Sequence, residues 1–84
     1  MYQVYILKSR KDHGYYIGCT SDMVKRLSFH NTGKTPSLRN RRPLYLIYFE
    51  EYRDRATAYA REKQIKSYKG GEAFKKLIHR GGVA

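Results

Sequence analysis

A glutamate on the second predicted helix has the residue type and the position needed to bind a cation. Ala58, Glu62 and Ile65 fall on one stripe of that helix at about 100° per residue, and this stripe should face the sheet. Glutamate is rarely buried without a partner. Two interpretations stay open. Glu62 either lies at the edge of the stripe and pairs with Lys66 or a neighbouring arginine, or it points into a cleft and holds a hard cation such as Mg²⁺, which takes oxygen ligands.

The first predicted helix carries an arginine and a histidine on one face. Arg26 and His30 are four residues apart, next to a predicted apolar stripe of Val24 and Leu27. The planar guanidinium could clamp a phosphate, and the imidazole could move a proton or contact the phosphate. A lone arginine or histidine at such a place is more often a solvated edge residue, so neither indicates a function by itself.

A predicted hairpin supplies two tyrosines and a glycine. Tyr5 and Tyr16 lie on neighbouring strands, and Gly18 follows Tyr16 by two residues, on the same face of its strand. A glycine inside a strand often marks the close approach of a ligand or another backbone. Tyrosines in a hairpin are ordinarily packing residues with a hydroxyl in water, so these positions, too, indicate no function one at a time.

Positive charge is the strongest signal in the composition. Eighteen Lys and Arg against seven Asp and Glu give a net charge of +11, which attracts polyanions. A protein that is merely soluble, or one bound to an RNA scaffold such as the ribosome, would also fit. Lysine and arginine side chains that contact DNA bind its phosphates without reading the base sequence. The predicted nucleic-acid contacts are Arg26, Lys34, Arg39, Arg41, Arg42, Lys63 and Lys66.

Length and cysteine usage limit the class of protein. A chain of 84 residues is expected to form one domain, residues 1–84, with a modest core. Cys19 is the only cysteine, so no internal disulfide is possible and a reducing compartment is favoured. No apolar stretch approaches the roughly 18 residues of a membrane span. We therefore expect a soluble cytoplasmic protein that does not contact a membrane.

Hydrophobic patterning predicts three strands and three helices in the order β-β-α-β-α-α, an α+β fold with helices packed against a three-stranded antiparallel sheet. The third strand is expected to be covered on both faces. The stretch 34–43, with its two prolines, is expected to lack regular structure, and the tail 80–84 to be loose. The strands are predicted at residues 2–7, 15–19 and 44–49. The helices are predicted from about 20–22 to 33, from 54 to about 69, and around Phe74, Leu77 and Ile78.

Taken together, these residues form a pattern that resembles the GIY-YIG nuclease superfamily. The likeness extends from Tyr2 to about Lys69, and it is greatest to short stand-alone bacterial members related to the nuclease module of the UvrC excision-repair protein. The matching segments are Val4-Tyr5-Ile6-Leu7, Tyr15-Tyr16-Ile17-Gly18-Cys19-Thr20-Ser21-Asp22, Lys25-Arg26-Leu27, His30-Asn31 and Ala60-Arg61-Glu62-Lys63-Gln64-Ile65-Lys66. Val4 stands where the glycine of the first half-motif would be.

The resemblance implies roles for the residues of the hairpin. Tyr5 would be the tyrosine of the first half-motif, Tyr16 that of the second, and Gly18 its closing glycine. Either tyrosine could orient or deprotonate a water. As a base, a tyrosine would need nearby cations to lower its pKa, which is ordinarily near 10.

The resemblance also implies a reaction, the hydrolysis of a DNA phosphodiester at a site with one divalent metal, Mg²⁺ or Mn²⁺. Arg26 would contact the scissile phosphate, and His30 would fill a position that holds His or Tyr in this family. Glu62 would be the single metal-binding carboxylate. A metal there can act as a Lewis acid while Arg26 takes part of the remaining charge.

Three functions stay open. The first is a DNA endonuclease that is structure-specific or indifferent to sequence and acts in DNA repair or processing, with a possible protein partner for targeting. The second is a catalytically weak or inactive nucleic-acid-binding module, because many active members carry an asparagine beyond the metal-binding glutamate and residues 63–84 contain none. The third is a subunit of a repair or ribonucleoprotein assembly.

Overall fold

The computed structural model describes residues 1–80 and confirms the predicted α+β fold. One three-stranded antiparallel sheet is flanked by helices on both faces. No helix in this part of the chain has the length and apolar character to cross a membrane. The elements are β1 (Tyr2–Ser9), β2 (Tyr15–Thr20), α1 (Met23–Asn31), a short 3-10 helix (Pro36–Arg41), β3 (Leu44–Tyr52), α2 (Arg55–Ser67) and α3 (Glu72–Arg80).

The first strand is the centre of the sheet, whose order is β2-β1-β3. Residues 4–7 are fully buried, and side chains alternate between the two faces of a strand, so β1 contributes to a core on each face. The prediction that the third strand is covered on both faces is wrong. That strand lies at an edge, and Phe49 is exposed. An apolar run shows that a strand is hydrophobic but does not show where it lies in the sheet.

Each face of the sheet has its own hydrophobic core. On one face, Val4 and Ile6 pack with Tyr48 of β3, and α2 and α3 cover them with Ala58, Ile65 and Phe74. On the other face, Tyr5 and Leu7 pack with Leu38 and Leu44, and α1 contributes Met23 and Leu27. Helices α1 and α2 therefore lie on opposite faces, and residues from both can meet only around an edge or an end of the sheet.

Helix α1 faces the sheet with a different stripe from the one predicted. The carboxylate of Asp22 caps the helix by accepting the Lys25 N–H at 3.1 Å, so the helix begins at Met23. Met23 and Leu27, four residues apart, pack on the sheet, whereas Val24 is 83% exposed. The prediction of Val24 in the apolar stripe is wrong because successive residues turn by about 100° around the helix, and the packing of Met23 and Leu27 on the sheet directs Val24 away from it. Gly33 follows the helix with φ of +83°, as expected for a C-terminal glycine.

The basic stretch after α1 is also more regular than predicted. Residues 36–41 form a 3-10 helix, so the prediction of no regular structure from 34 to 43 is wrong there. The physical reason is Leu38, which is buried against Tyr5 and Leu44 and fixes the segment to the sheet. One apolar residue in a basic stretch carries no periodicity, which is why the pattern did not show it.

Asp54 caps helix α2 as predicted, since its carboxylate accepts the Thr57 N–H at 2.8 Å, and the helix begins at Arg55. The helix ends at Ser67, and the chain turns through Lys69 and Gly70, both with positive φ. The predicted loose tail, residues 80–84, lies outside the described residues apart from Arg80, the last residue of α3.

A carboxylate on β3 fastens α2 to the sheet. Both oxygens of Glu50 accept hydrogen bonds from Arg61, at 2.8 and 2.9 Å, and the hydroxyls of Tyr48 and Tyr52 also donate to this carboxylate. Burial by itself would raise the pKa of Glu50, but these hydrogen bonds outweigh it and hold the pKa at about 2, below the ordinary 4.5. The network therefore stabilises the fold only while Glu50 is ionised.

We expect Glu50→Gln to lower the free energy of unfolding at pH 7 by about 1.5–3 kcal/mol, the contribution of hydrogen bonds to a charged group. Because the folded-state pKa is depressed, the stabilisation is complete above pH 4.5 and is lost as the pH falls towards 2. The difference between wild type and variant in urea unfolding should therefore shrink over that range. Glu51→Gln, at an exposed neighbour, is the control, and a difference that does not change with pH would contradict the prediction.

Candidate active site

An open cleft of about 370 Å³ lies where β2 ends and the chain turns towards α1. It combines residues from elements on both faces of the sheet, because the end of β2 is where α1 and α2 can both be reached. Arginines and one carboxylate give it a mixed charge. The lining residues are Tyr2, Cys19, Thr20, Ser21, Arg26, Arg55, Tyr59 and Glu62.

Glu62 lies at the inner side of this cleft. It is 9% exposed and follows Ala58 on the stripe of α2 that packs on the sheet, as its spacing predicted. Its Oε2 also forms an ion pair of 2.7 Å with the Lys66 ammonium, one turn further along α2. Both interpretations of Glu62 thus describe part of the structure, since it faces a cleft and has a lysine partner. The hydrogen bond to Glu62 is the main cause that raises the pKa of Lys66.

Arg26 enters the cleft from the opposite side, on α1. Its side chain is exposed, and it has no ion pair with a described carboxylate. A guanidinium in that state is free to form two parallel hydrogen bonds with a phosphate that enters the cleft.

His30 does not line the cleft, although it shares α1 with Arg26. It is 1% exposed, and each ring nitrogen has a hydrogen-bond partner: Nε2 lies 3.0 Å from the Tyr5 hydroxyl, and Nδ1 lies 2.7 Å from the Thr35 hydroxyl. Burial, with a further contribution from the Arg26 charge, lowers the pKa of His30. The neutral imidazole therefore links the central strand to the segment after α1.

Tyr16 completes an aromatic cluster with Tyr5 and His30. The Tyr16 ring meets the His30 ring edge to face with centroids 5.0 Å apart, and it lies 6.3 Å from the Tyr5 ring. Tyr16 is partly exposed, and its hydroxyl makes no hydrogen bond to the described residues. Of the five predicted catalytic residues, two line the cleft and three form this cluster.

The pKa of Tyr5 moves opposite to what a base requires. Burial is the main cause that raises it, Tyr16 and Glu62 add to the shift, and the lowering effect of Arg26 is too small to reverse it. The expected lowering by nearby cations is therefore not found at Tyr5, which stays a neutral phenol at physiological pH. The sequence showed many cations but not the burial of the hydroxyl.

Gly18 lies directly opposite Tyr5 in the sheet. A Cβ atom at this position would overlap the Tyr5 hydroxyl and the adjoining ring carbon. The close approach predicted from the glycine is therefore present, but what approaches is the Tyr5 side chain rather than a ligand or a backbone. Gly18 is thus a requirement for the position of the Tyr5 hydroxyl.

The residues around the cleft fit one hydrated divalent cation. Mg²⁺ keeps several waters and needs only one or two protein carboxylates, and Glu62 supplies one beside an open volume that can hold waters and a phosphate. Lys66, whose side chain is half exposed, can move away from Glu62 when a cation approaches. The described residues contain no group of three or more His, Cys, Asp or Glu side chains, so a metal site made wholly of protein ligands is absent there.

The predicted nucleic-acid contacts other than Arg26 and Lys66 form three groups. Arg41 forms an ion pair of 3.0 Å with Asp12 in the hairpin turn and so has a structural role. Arg39 and Arg42 hydrogen-bond to backbone carbonyls and line a different groove, together with Lys11. Lys63, in contrast, lies over the ring of Tyr59, which lines the cleft, and Lys34 lies over the ring of Phe29, which lines a depression next to it.

Several residues of the site were not predicted. Arg55 and Tyr59 line the cleft with Glu62, and the spacing i, i+4 and i+7 on one helix face could have revealed them. Thr35, the partner of His30, had no signal in the sequence, because its contact depends on how the segment after α1 folds back.

No asparagine lines the cleft in residues 1–80. Asn31 is committed to the backbone of Leu44, accepting its N–H at 2.8 Å and donating to its carbonyl at 2.9 Å. Asn40 lines the separate groove beside Arg39. Neither asparagine therefore replaces the one that many family members carry after the glutamate.

We expect Gly18→Ala to destabilise the protein by about 1–3 kcal/mol, as overpacking of a core does, because the new methyl group must displace Tyr5. Urea unfolding measures the change. Gly71→Ala is the control, because the nearest atom to its Cβ is the Tyr68 carbonyl oxygen at 3.2 Å, and its cost should be smaller. Equal stability of wild type and Gly18→Ala would show that Tyr5 does not depend on the glycine.

We expect the His30 imidazole to titrate below pH 6.5 in the folded protein, because burial favours its neutral form. Because the pKa of His30 is lower in the folded state than in the unfolded state, the buried neutral imidazole contributes fully to stability above pH 6.5. This contribution declines as the pH falls towards the folded-state pKa. Proton NMR of the ring resonances measures the titration. Titration of His30 at or above pH 6.5 would contradict its burial.

Thr35→Val leaves the Nδ1 atom of His30 without its partner and should lower the free energy of unfolding by about 1–3 kcal/mol.

Comparison with known proteins identifies the family. Residues 1–75 match the model of the GIY-YIG catalytic domain. The chain is 35% identical to a UPF0213 protein of Staphylococcus haemolyticus over 92% of this chain and 94% of that protein. It is 42% identical to one of Clostridium perfringens over 79% and 71% of the two chains, and 37% identical to one of Listeria monocytogenes over 90% and 85%.

No solved structure matches the chain significantly. The family match covers every element that builds the cleft, from β1 to α2. Relatives of similar length in several organisms match over most of their own sequence, which agrees with the resemblance found in the residues. The chain therefore belongs to the GIY-YIG nuclease family, in the group of small UPF0213 proteins.

Proposed function

We propose that this protein is a metal-dependent DNA endonuclease that hydrolyses phosphodiester bonds in the cleft at the end of β2. One observation carries the proposal: the Glu62 carboxylate and the Arg26 guanidinium come from helices on opposite faces of the sheet and line the same open cleft. Structural packing alone does not require a carboxylate and a free guanidinium to converge at such a place.

Arg26 binds the scissile phosphate in this proposal. Its planar fork donates two hydrogen bonds to phosphate oxygens and stabilises the negative charge that increases during hydrolysis. Arg55, on the α2 side of the cleft, adds a second positive charge for the same strand.

Glu62 holds the divalent cation, Mg²⁺ or Mn²⁺. When bound, the cation supplies Lewis-acid stabilisation of the phosphoryl and leaving oxygens. Lys66, whose side chain is half exposed, would move into the solvent and leave the Glu62 carboxylate available to the cation. The ion pair thus holds the carboxylate in place before a cation binds.

Tyr16, Tyr5 and His30 act on the attacking water as a unit. Tyr16, whose hydroxyl makes no hydrogen bond to the described residues, orients the water, while Tyr5 and His30 pack against the Tyr16 ring. Tyr5 stays protonated and shares a hydrogen bond with the neutral His30, so neither side chain carries a buried charge. Their role is to position Tyr16 and to keep the cluster neutral.

The wider setting belongs to the same proposal. The positive charge of the chain favours DNA bound without sequence preference or by its structure. The proposal also includes a role in DNA repair or processing, a cytoplasmic location and a possible protein partner for targeting. A second candidate function is a catalytically weak or inactive nucleic-acid-binding module. The absence of an asparagine from the described part of the cleft and the occupation of Glu62 by Lys66 favour it.

Cleavage of labelled single-stranded, duplex and branched DNA at low salt tests the proposal. We expect the wild type to cut with Mg²⁺ or Mn²⁺ and not with chelator. Glu62→Gln should reduce the rate by at least about 100-fold, the range for a group that stabilises the transition state, while binding persists. Glu72→Gln, which removes the same charge at an exposed position of α3, is the matched control and should cut normally.

The other outcomes separate the two functions. Binding without cleavage on every substrate would replace the nuclease by the binding module. Cleavage that survives in Glu62→Gln would show that the carboxylate does not hold the cation.

A further inference from the structure

The cleft continues as a groove on both sides of the site. Towards α1 it joins a depression of about 520 Å³, with which it shares Thr20, Ser21 and Arg26. Towards the start of α2 it joins a second depression of about 420 Å³, with which it shares Arg55 and Tyr59. A strand that runs along this groove would therefore pass between Arg26 and Glu62.

An exposed aromatic side chain lies on each side of the site. Tyr59 is 54% exposed on α2, three residues before Glu62, and Phe29 is 42% exposed on α1, three residues after Arg26. Residues three apart on a helix lie on one face, about 4.5 Å apart along the axis. Each ring thus stands one helical turn from a group that is proposed to act at the phosphate.

A lysine accompanies each ring. The Lys63 ammonium lies 4.8 Å from the centre of the Tyr59 ring, and the Lys34 ammonium lies 5.9 Å from that of Phe29. Cationic contacts also occur at Tyr15 and Tyr45, outside the groove, so the combination alone is not the argument. What distinguishes Tyr59 and Phe29 is that both line the groove, where Lys25 and Arg55 add positive charge and Asp22 is the acid near Phe29.

We propose that Phe29 and Tyr59 are base-stacking residues and that the substrate is single-stranded DNA. This rests on the proposed function, since it names the form of DNA that the same site accepts. Exposed rings beside cations bind single strands because every unpaired base has a free face for stacking, while the cations bind the flanking phosphates. The bases of an intact duplex are stacked on each other, and their faces cannot reach either ring.

The test is the binding of a labelled single-stranded oligonucleotide, measured by fluorescence anisotropy in chelator so that cleavage plays no part. Phe29→Ala and Tyr59→Ala should each weaken binding by roughly 5- to 100-fold, because one stacked base is lost. Tyr59→Phe, which keeps the ring, should bind normally. Phe49→Ala removes an exposed aromatic outside the groove and is the matched control.

Two further ligands complete the experiment. An oligonucleotide of the same length with abasic sites keeps the phosphates and should bind the wild type as weakly as the normal strand binds the alanine variants. The corresponding duplex should bind weakly and equally to wild type and variants. Unchanged single-strand binding by both variants, equal losses for single strand and duplex, or full binding of the abasic strand would each overturn the proposal. Because no result depends on cleavage, failure of the nuclease proposal would be seen separately.

Discussion

The hydrogen bond between the Tyr5 hydroxyl and His30 connects the central strand to the helix that carries Arg26. It can form only because Gly18, on the neighbouring strand, leaves room for the hydroxyl. Through His30 the same contact reaches Thr35, so the segment after α1 is held as well. The position of Arg26 at the cleft thus depends on a buried polar contact, which costs stability unless both partners are satisfied.

The site lies where the two faces of the sheet can be reached together. Helix α1 covers one face and α2 the other, and the end of β2 is the place where side chains from both converge. On the α2 side, the Glu50–Arg61 network holds the helix against β3, and Glu62 forms an ion pair with Lys66. Rigid attachment of both helices keeps the Arg26 guanidinium and the Glu62 carboxylate at a fixed separation, as the proposed catalysis would require.

Local signals predicted the elements, and packing decided how they lie. Asp22 and Asp54 cap their helices as expected, because a cap depends only on the next few residues. The stripe of α1 was misjudged at Val24, and β3 was misjudged as a covered strand, because rotation and place in the sheet depend on distant partners. The 3-10 helix was missed for the same reason, since it forms because Leu38 packs into a core built by residues distant in the sequence.

The sequence by itself determined the family, the residue types of the site and the place of Glu62 on the sheet-facing stripe of α2. It could do so because motif spacing and helical period are local properties. Only the tertiary structure decided which of these residues meet solvent. It placed Arg26 and Glu62 in the cleft, buried Tyr5 and His30 behind it, and brought Tyr59 and Phe29 to either side. Burial, and with it the pKa of Tyr5 and of His30, is set by neighbours far apart in the chain.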